Sequence, residues 1–196
     1  TGVNFNNAFK TSGLTALPAG LDMSQGDTFQ SAFQDCGSLA TIGSGVLLGT
    51  ASTSVNFAYS FLSSGLTELP AGLDLSQGDT FRSAFYGCSS LTTIGNGVLL
   101  GTASSNVSFQ NAFQSSGLTA LPAGLNLSQG NKFQSAFHNC SSLTTIGNGV
   151  LLGTANATAT VNFTSAFQSS GLTELPAGLN LSQGSVFASA FQSCSS

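Results

Sequence analysis

The sequence predicts an α/β repeat solenoid of about eight turns, each contributing one short parallel strand and one short helix. Three observations predict it: a repeat of 52 to 54 residues runs through the whole chain, two phenylalanines four apart stand in every half-repeat, and only 5% of residues are charged. Self-similarity at a fixed period marks repeat architectures, in which one unit cannot bury its apolar face and stacked units bury each other's.

The long repeat is set by the valines of "VNF" or "VSF" at Val3, Val55, Val107 and Val161, giving steps of 52, 52 and 54. The last step is longer because "NATAT" (156–160) carries an insertion, and the four prolines, Pro18, Pro70, Pro122 and Pro176, keep the same spacing. Four double repeats follow, 1–54, 55–106, 107–160 and 161–196, the last incomplete, in a single solenoid that reads as a segment of a longer protein.

Each double repeat divides into two turns that share a pattern. All 16 phenylalanines fall in F-x-x-[AS]-F, followed by L-x-x-[LI] and then [LV]-x-[LM]. Phenylalanines four apart share one face of a helix, and the small residue between them allows close packing. Asn4, Thr28, Asn56, Thr80, Ser108 and Asn162 precede the first Phe as helix N-caps. Gly13, Gly37, Gly65, Gly117 and Gly171 follow as stops. The Leu segment is too short and Gly-punctuated for a second helix and suits a strand. In the turn that contains "FQSAFQDCGSLATIG" (29–43), Phe29, Phe33, Cys36, Leu39 and Ile42 are the expected core.

Composition excludes several functions. With 41% hydrophobic residues over 196 positions the chain can bury a continuous core. Lys10, Arg82 and Lys132 are too few to neutralise a run of phosphates, so no nucleic-acid partner is expected. No stretch approaches the roughly 18 apolar residues of a membrane span, so no membrane insertion is expected.

The residues with chemical potential are accounted for by their place in the repeat. Cys36, Cys88, Cys140 and Cys194 recur two turns apart, about 10 Å along the stack, which is beyond the reach of a disulfide. Zinc sites need close pairs, which are absent, and Ser12, Ser64, Ser116 and Ser170 occupy the matching place in intervening turns, so buried free thiols are expected. His138, the only histidine, aligns with Gln34, Tyr86 and Gln192 and has no acid or nucleophile column beside it; no catalytic residue, cofactor or metal is assigned, and the chain is not expected to be an enzyme. Asp22 with Asp27, and Asp74 with Asp79, suggest calcium, but Asn126 with Asn131 and Asn180 with Ser185 replace them in later units, which favours polar turn closure.

Threonines 15, 67, 92, 119, 144 and 173, interrupted by Ala40, form a ladder that resembles ice-binding solenoids in architecture, although T-x-T is absent and Glu68 and Glu174 interrupt the face. Six N-x-[ST] sequons, at Asn106, Asn126, Asn139, Asn156, Asn162 and Asn180, are near chance in a chain this rich in Asn, Ser and Thr.

The segments "AFYGCSSLTTIG" (84–95), "AFHNCSSLTTIG" (136–147) and "GLTELPAGLDLS" (65–76) resemble BspA-like leucine-rich repeats of bacterial surface proteins and phage fibres, over nearly the whole chain. The resemblance implies a leucine-rich-repeat solenoid, extracellular and borne on a cell surface or virion, used for adhesion or scaffolding without catalysis. The chain departs from that pattern by alternating two turn lengths and by dropping the cysteine from every second turn.

Variation between the repeats gathers around the Phe pairs, placing Tyr59, Arg82, Tyr86 and His138 outward as a candidate recognition patch. Leu47, Leu99 and Leu151, set between inward residues, form a candidate self-association stripe. The expected partners are therefore a glycan or host-surface protein, or other copies of the chain. A purely structural filament is the alternative function and ice binding a minor one.

Overall fold

The computed structural model describes residues 2–155 and 160–194, so the Asn156 sequon lies outside the described residues. The chain winds into a parallel β-solenoid of about seven turns, counted between the first and last of eight strands in one sheet. That sheet runs Val3–Asn4, Gly26–Thr28, Val55–Asn56, Gly78–Thr80, Val107–Ser108, Gly130–Lys132, Val161–Asn162 and Gly184–Val186, each parallel to the next. Within each double repeat its register shifts by one residue: Val55 pairs with Gly78 and Asn56 with Thr80, so Asp79 is the extra residue. Gly78 is obligatory there, because a Cβ would meet the Phe81 ring at 2.3 Å.

No helix occurs among the described residues, which corrects the expectation of one per turn. Each F-x-x-A-F-x-x-[CS] segment is instead a ribbon of successive β-turns. Ala8 N–H donates to the Phe5 carbonyl at 3.0 Å and Ser12 N–H to that of Phe9 at 3.0 Å, closing turns whose third residues, Asn7 and Thr11, have φ of 56° and 58°. A positive φ at that position defines a type II turn and breaks an α-helix. The same two places are left-handed in later turns, for example Ser31 with Asp35, Tyr59 with Ser63, and Ser83 with Gly87.

The ribbon frees alternate N–H groups to bond the next turn. Phe5, Asn7, Phe9 and Thr11 donate to the carbonyls of Thr28, Gln30, Ala32 and Gln34 at 2.8–3.0 Å. A helix would have spent these donors inside its own segment. The residues read as N-caps do cap, but they start the ribbon: the Oδ1 atoms of Asn4, Asn56 and Asn162 accept from the N–H two residues on at 2.8 Å.

The Leu segments form two further faces, so a turn holds up to three short strands rather than one. Ala16–Leu17 pairs with Thr41–Ile42 and Asp22–Met23 with Leu47–Leu48, and the second and third double repeats carry equivalent two-stranded sheets. Proline explains why pairing on the first of these faces stops at two strands. Gly43 N–H donates to the Leu17 carbonyl at 2.8 Å. One turn later the equivalent residue is Pro70, which has no N–H to give the Ile42 carbonyl. Bonding across that boundary is kept by Thr67 N–H to the Ala40 carbonyl at 3.1 Å and by Gly65 N–H to the Cys36 carbonyl at 3.2 Å. The second contact admits only glycine, since a Cβ at Gly65 would lie 2.3 Å from the Gly37 oxygen.

The interior is built on two columns of stacked phenylalanine. One runs from Phe5 and Phe29 to Phe163 and Phe187, the other from Phe9 and Phe33 to Phe167 and Phe191; the Phe85–Phe113 pair, at 5.0 Å between centroids, and the Phe61–Phe85 pair, at 5.6 Å, are representative. Phe29, Phe33, Cys36 and Leu39 are fully buried and Ile42 nearly so. Burying a Phe side chain contributes roughly 1.5–3 kcal/mol, so these columns are the main cohesive element.

Candidate binding surfaces

The interior is filled by aromatic rings, so chemistry available to a partner lies on the outer faces. On the turn ribbon, Arg82 places its guanidinium 5.9 Å from the centroid of the Tyr59 ring, one turn away. Tyr59 is half-buried, with φ of 58°. Tyr86 and His138 are also half-buried. His138 Nδ1 lies 3.1 Å from Gln114 Nε2; the amide can only donate, so the ring accepts at Nδ1. The structure thus brings Tyr59 and Arg82 together, whereas His138 is engaged with a glutamine of the preceding turn.

Amide ladders complete this face. Gln168 Nε2 donates to Gln192 Oε1 at 3.1 Å, and Asn56 Nδ2 to Gln30 Oε1 at 3.4 Å. The result is a donor- and acceptor-rich ribbon with few charges, Lys10, Asp35 and Arg82.

On the threonine face, Thr15, Thr67, Thr92, Thr119, Thr144 and Thr173 are exposed. Their hydroxyls turn back toward the backbone: Thr67, Thr92, Thr119 and Thr144 donate to carbonyls of the preceding turn at 3.2–3.5 Å. Glu68 and Glu174 are exposed beside them.

On the third face, Leu47, Leu99 and Leu151 are 37–38% exposed while their neighbours Val46, Leu48, Val98, Leu100, Val150 and Leu152 are buried. Strand register puts Asp22 beside Leu47, Asp74 beside Leu99 and Asn126 beside Leu151. The Oδ1 atoms of Asp22, Asp74, Asn126 and Asn180 each accept from the N–H two residues on, at 2.9, 2.9, 3.0 and 2.9 Å. The Ser24 hydroxyl, with the Ser24 N–H, holds the Asp22 carboxyl below its ordinary range. Asp79 accepts from the Ser54 hydroxyl at 2.7 Å. Of the four aspartates, Asp22 and Asp74 therefore close turns and Asp79 bonds the preceding turn, and no group of three or more metal-ligating side chains forms among the described residues.

The four cysteines are free, and the first three are fully buried. Each thiol donates to a phenylalanine carbonyl of the preceding turn, as Cys88 does to Phe61 at 3.0 Å, and accepts from the serine that fills its place there, as from Ser64 at 3.4 Å. Burial pushes the Cys88 and Cys140 thiols up. Such thiols are poor nucleophiles.

Two further recesses open on the surface, the first bordering the threonine face at Thr173 and Glu174. The first, of about 410 Å³, is lined by Leu172, Leu175, Phe191 and Cys194 with Glu174. The other, of about 370 Å³, is polar and is lined by Gln25, Asp27, Ser52 and Ser54 among others. No family model, curated protein or solved structure matches the chain.

Proposed function

We propose that the chain is a non-enzymatic, extracellular, BspA-like leucine-rich-repeat solenoid from a surface adhesin or phage tail fibre, acting as a rigid multivalent scaffold on a cell surface or virion. One observation carries this reading. Inter-turn hydrogen bonds and both Phe columns continue from the first turn to the last, across the boundaries where proline interrupts the smaller sheets. A rod so bonded spans distance without bending and presents the same polar surface many times, so weak contacts sum through avidity. The amide-rich ribbon and the Tyr59–Arg82 pair suit an uncharged partner such as a glycan, or a host-surface protein.

The test compares monomeric protein with protein displayed in many copies on beads, each applied to a panel of immobilised glycans. Binding by the beads at least tenfold stronger than by the monomer, and weakened by Tyr59→Ala or Arg82→Ala, is the expected result. Equal and negligible binding by both forms across glycans and intact cells would overturn the reading.

A second reading, a structural filament or surface-layer component, is favoured by the exposed leucines of the third face. Ice binding is the weakest alternative, because the threonine hydroxyls are already turned toward backbone carbonyls. Absence of thermal hysteresis at millimolar protein removes it.

A further inference from the structure

We propose that the third face is a homodimer interface in which two copies lie side by side and antiparallel, with Leu99 facing Leu99 of the second copy at the centre. The inference builds on the self-association reading of that leucine stripe and is independent of adhesion.

The column of outward residues on this face alternates between leucine and a turn-closing Asp or Asn. Its order is symmetric about Leu99 in one respect and asymmetric in another. Leu47 and Leu151 stand two turns to either side, so reversal superimposes the leucines. The turn-closing residues are Asp22 and Asp74 on one side of Leu99 but Asn126 and Asn180 on the other.

The hydrogen bonds within the chain decide what each of these four offers a partner. All four commit Oδ1 to a backbone N–H. Asp22, whose carboxylate also accepts from the Ser24 hydroxyl, and Asp74 therefore keep further acceptor sites and a negative charge. Asn126 and Asn180 retain Nδ2, a donor. A second copy laid parallel would set Asp22 against Asp22 and Asp74 against Asp74, acceptor facing acceptor with like charge. Laid antiparallel, it sets Asp22 against Asn180 and Asp74 against Asn126, so that each carboxylate meets an amide donor.

The surface relief has the same period. Recesses of about 90 Å³ open beside Leu47, under Pro70 and Leu73, and beside Leu99, under Pro122 and Leu125. The leucines recur every two turns, roughly 10 Å, and the two recesses stand the same distance apart, a spacing that a second copy of this chain shares. The shared strip is about 30 Å long and one residue wide, well under the roughly 1,000 Å² of a durable interface. The dimer is accordingly weak, populated from about 100 μM upward.

Sedimentation velocity and small-angle scattering up to about 1 mM measure the dimer, and disulfide trapping reads its orientation. With Cys194→Ser as background, Leu99→Cys should cross-link to itself. Leu47→Cys should not do so alone, but should cross-link to Leu151→Cys when the two are mixed, with rates differing by roughly tenfold. Asn126→Asp with Asn180→Asp should weaken the dimer, and adding Asp22→Asn with Asp74→Asn should restore it; circular dichroism verifies that each variant is folded. Self-cross-linking of Leu47→Cys at least as fast as that of Leu99→Cys overturns the antiparallel arrangement alone. A monomer at 1 mM overturns self-association through this face altogether.

Discussion

The thiol of Cys88 donates a hydrogen bond to the carbonyl oxygen of Phe61, one turn earlier, at 3.0 Å, and so ties the two turns of a double repeat together inside the core. Cys88→Ala would leave the Ser64 hydroxyl buried without a partner and take one of two donors from the Phe61 carbonyl, which keeps the Ser64 N–H at 3.0 Å. The expected loss is about 1–3 kcal/mol, read from urea unfolding. Cys88→Ser, which keeps a donor and an acceptor, should lose less.

The same thiols give a pH dependence with a definite sign. Cys88 and Cys140 have raised values in the folded chain because burial penalises the thiolate, whereas unfolding returns them to an ordinary value of 9.0. Above that pH the unfolded state binds fewer protons than the folded state, so stability falls as pH rises. Unfolding free energy should be flat from pH 7 to 8 and decline above about 9. Cys88→Ser with Cys140→Ser should flatten the decline, and an unchanged slope in that variant would show that other groups cause it.

Ser60 is fully buried and its hydroxyl has no hydrogen-bond partner, at a position where the other seven turns carry alanine. Ser60→Ala removes a desolvated polar group from a site shaped for a methyl. It should raise stability by about 1 kcal/mol, and a destabilised variant would show that the hydroxyl is satisfied in solution.

Ser115 holds φ of 58° at the second turn of its ribbon, the place that Gly87 fills one turn earlier. Ser115→Gly should stabilise by about 1 kcal/mol by relieving left-handed strain. Ser115→Val should destabilise, since a β-branched residue tolerates that region worst. The two midpoints in thermal unfolding should therefore move in opposite directions.

The solenoid was legible because its period, its Phe pairs and its inward leucines follow from burial alone, which depends on spacing rather than on backbone detail. The helices were misread because a spacing of four serves two conformations: one helical face, or the first residues of consecutive four-residue turns. A distinguishing signal was present. Asn7, Asp35, Gly87, Asn111 and Asn139 are residue types that tolerate positive φ, and one stands in each of five Phe pairs where a helix has no use for it.

Pro70 was similarly visible as a period marker, but its effect on strand pairing needs the register of Ile42 above it. On the outer faces, the exposure of Leu47, Leu99 and Leu151 could be anticipated from buried neighbours. The outward donor of Asn126 and acceptor of Asp74 could not, because each depends on which side-chain atom the local turn consumes. The pairing of Tyr59 with Arg82 likewise needed the turn-to-turn alignment, since the two stand 23 residues apart in sequence.

Whether the Phe pairs join neighbouring turns or coil into helices is settled most directly by scalar couplings across hydrogen bonds in the NMR spectrum of labelled protein. The Phe61 nitrogen should couple to the carbonyl carbon of Ala84, whose oxygen it approaches to 2.8 Å, and the Phe33 nitrogen to that of Ser60. A coupling from Phe61 to the carbonyl of Phe57, four residues back, would contradict the turn ribbon and restore the helix.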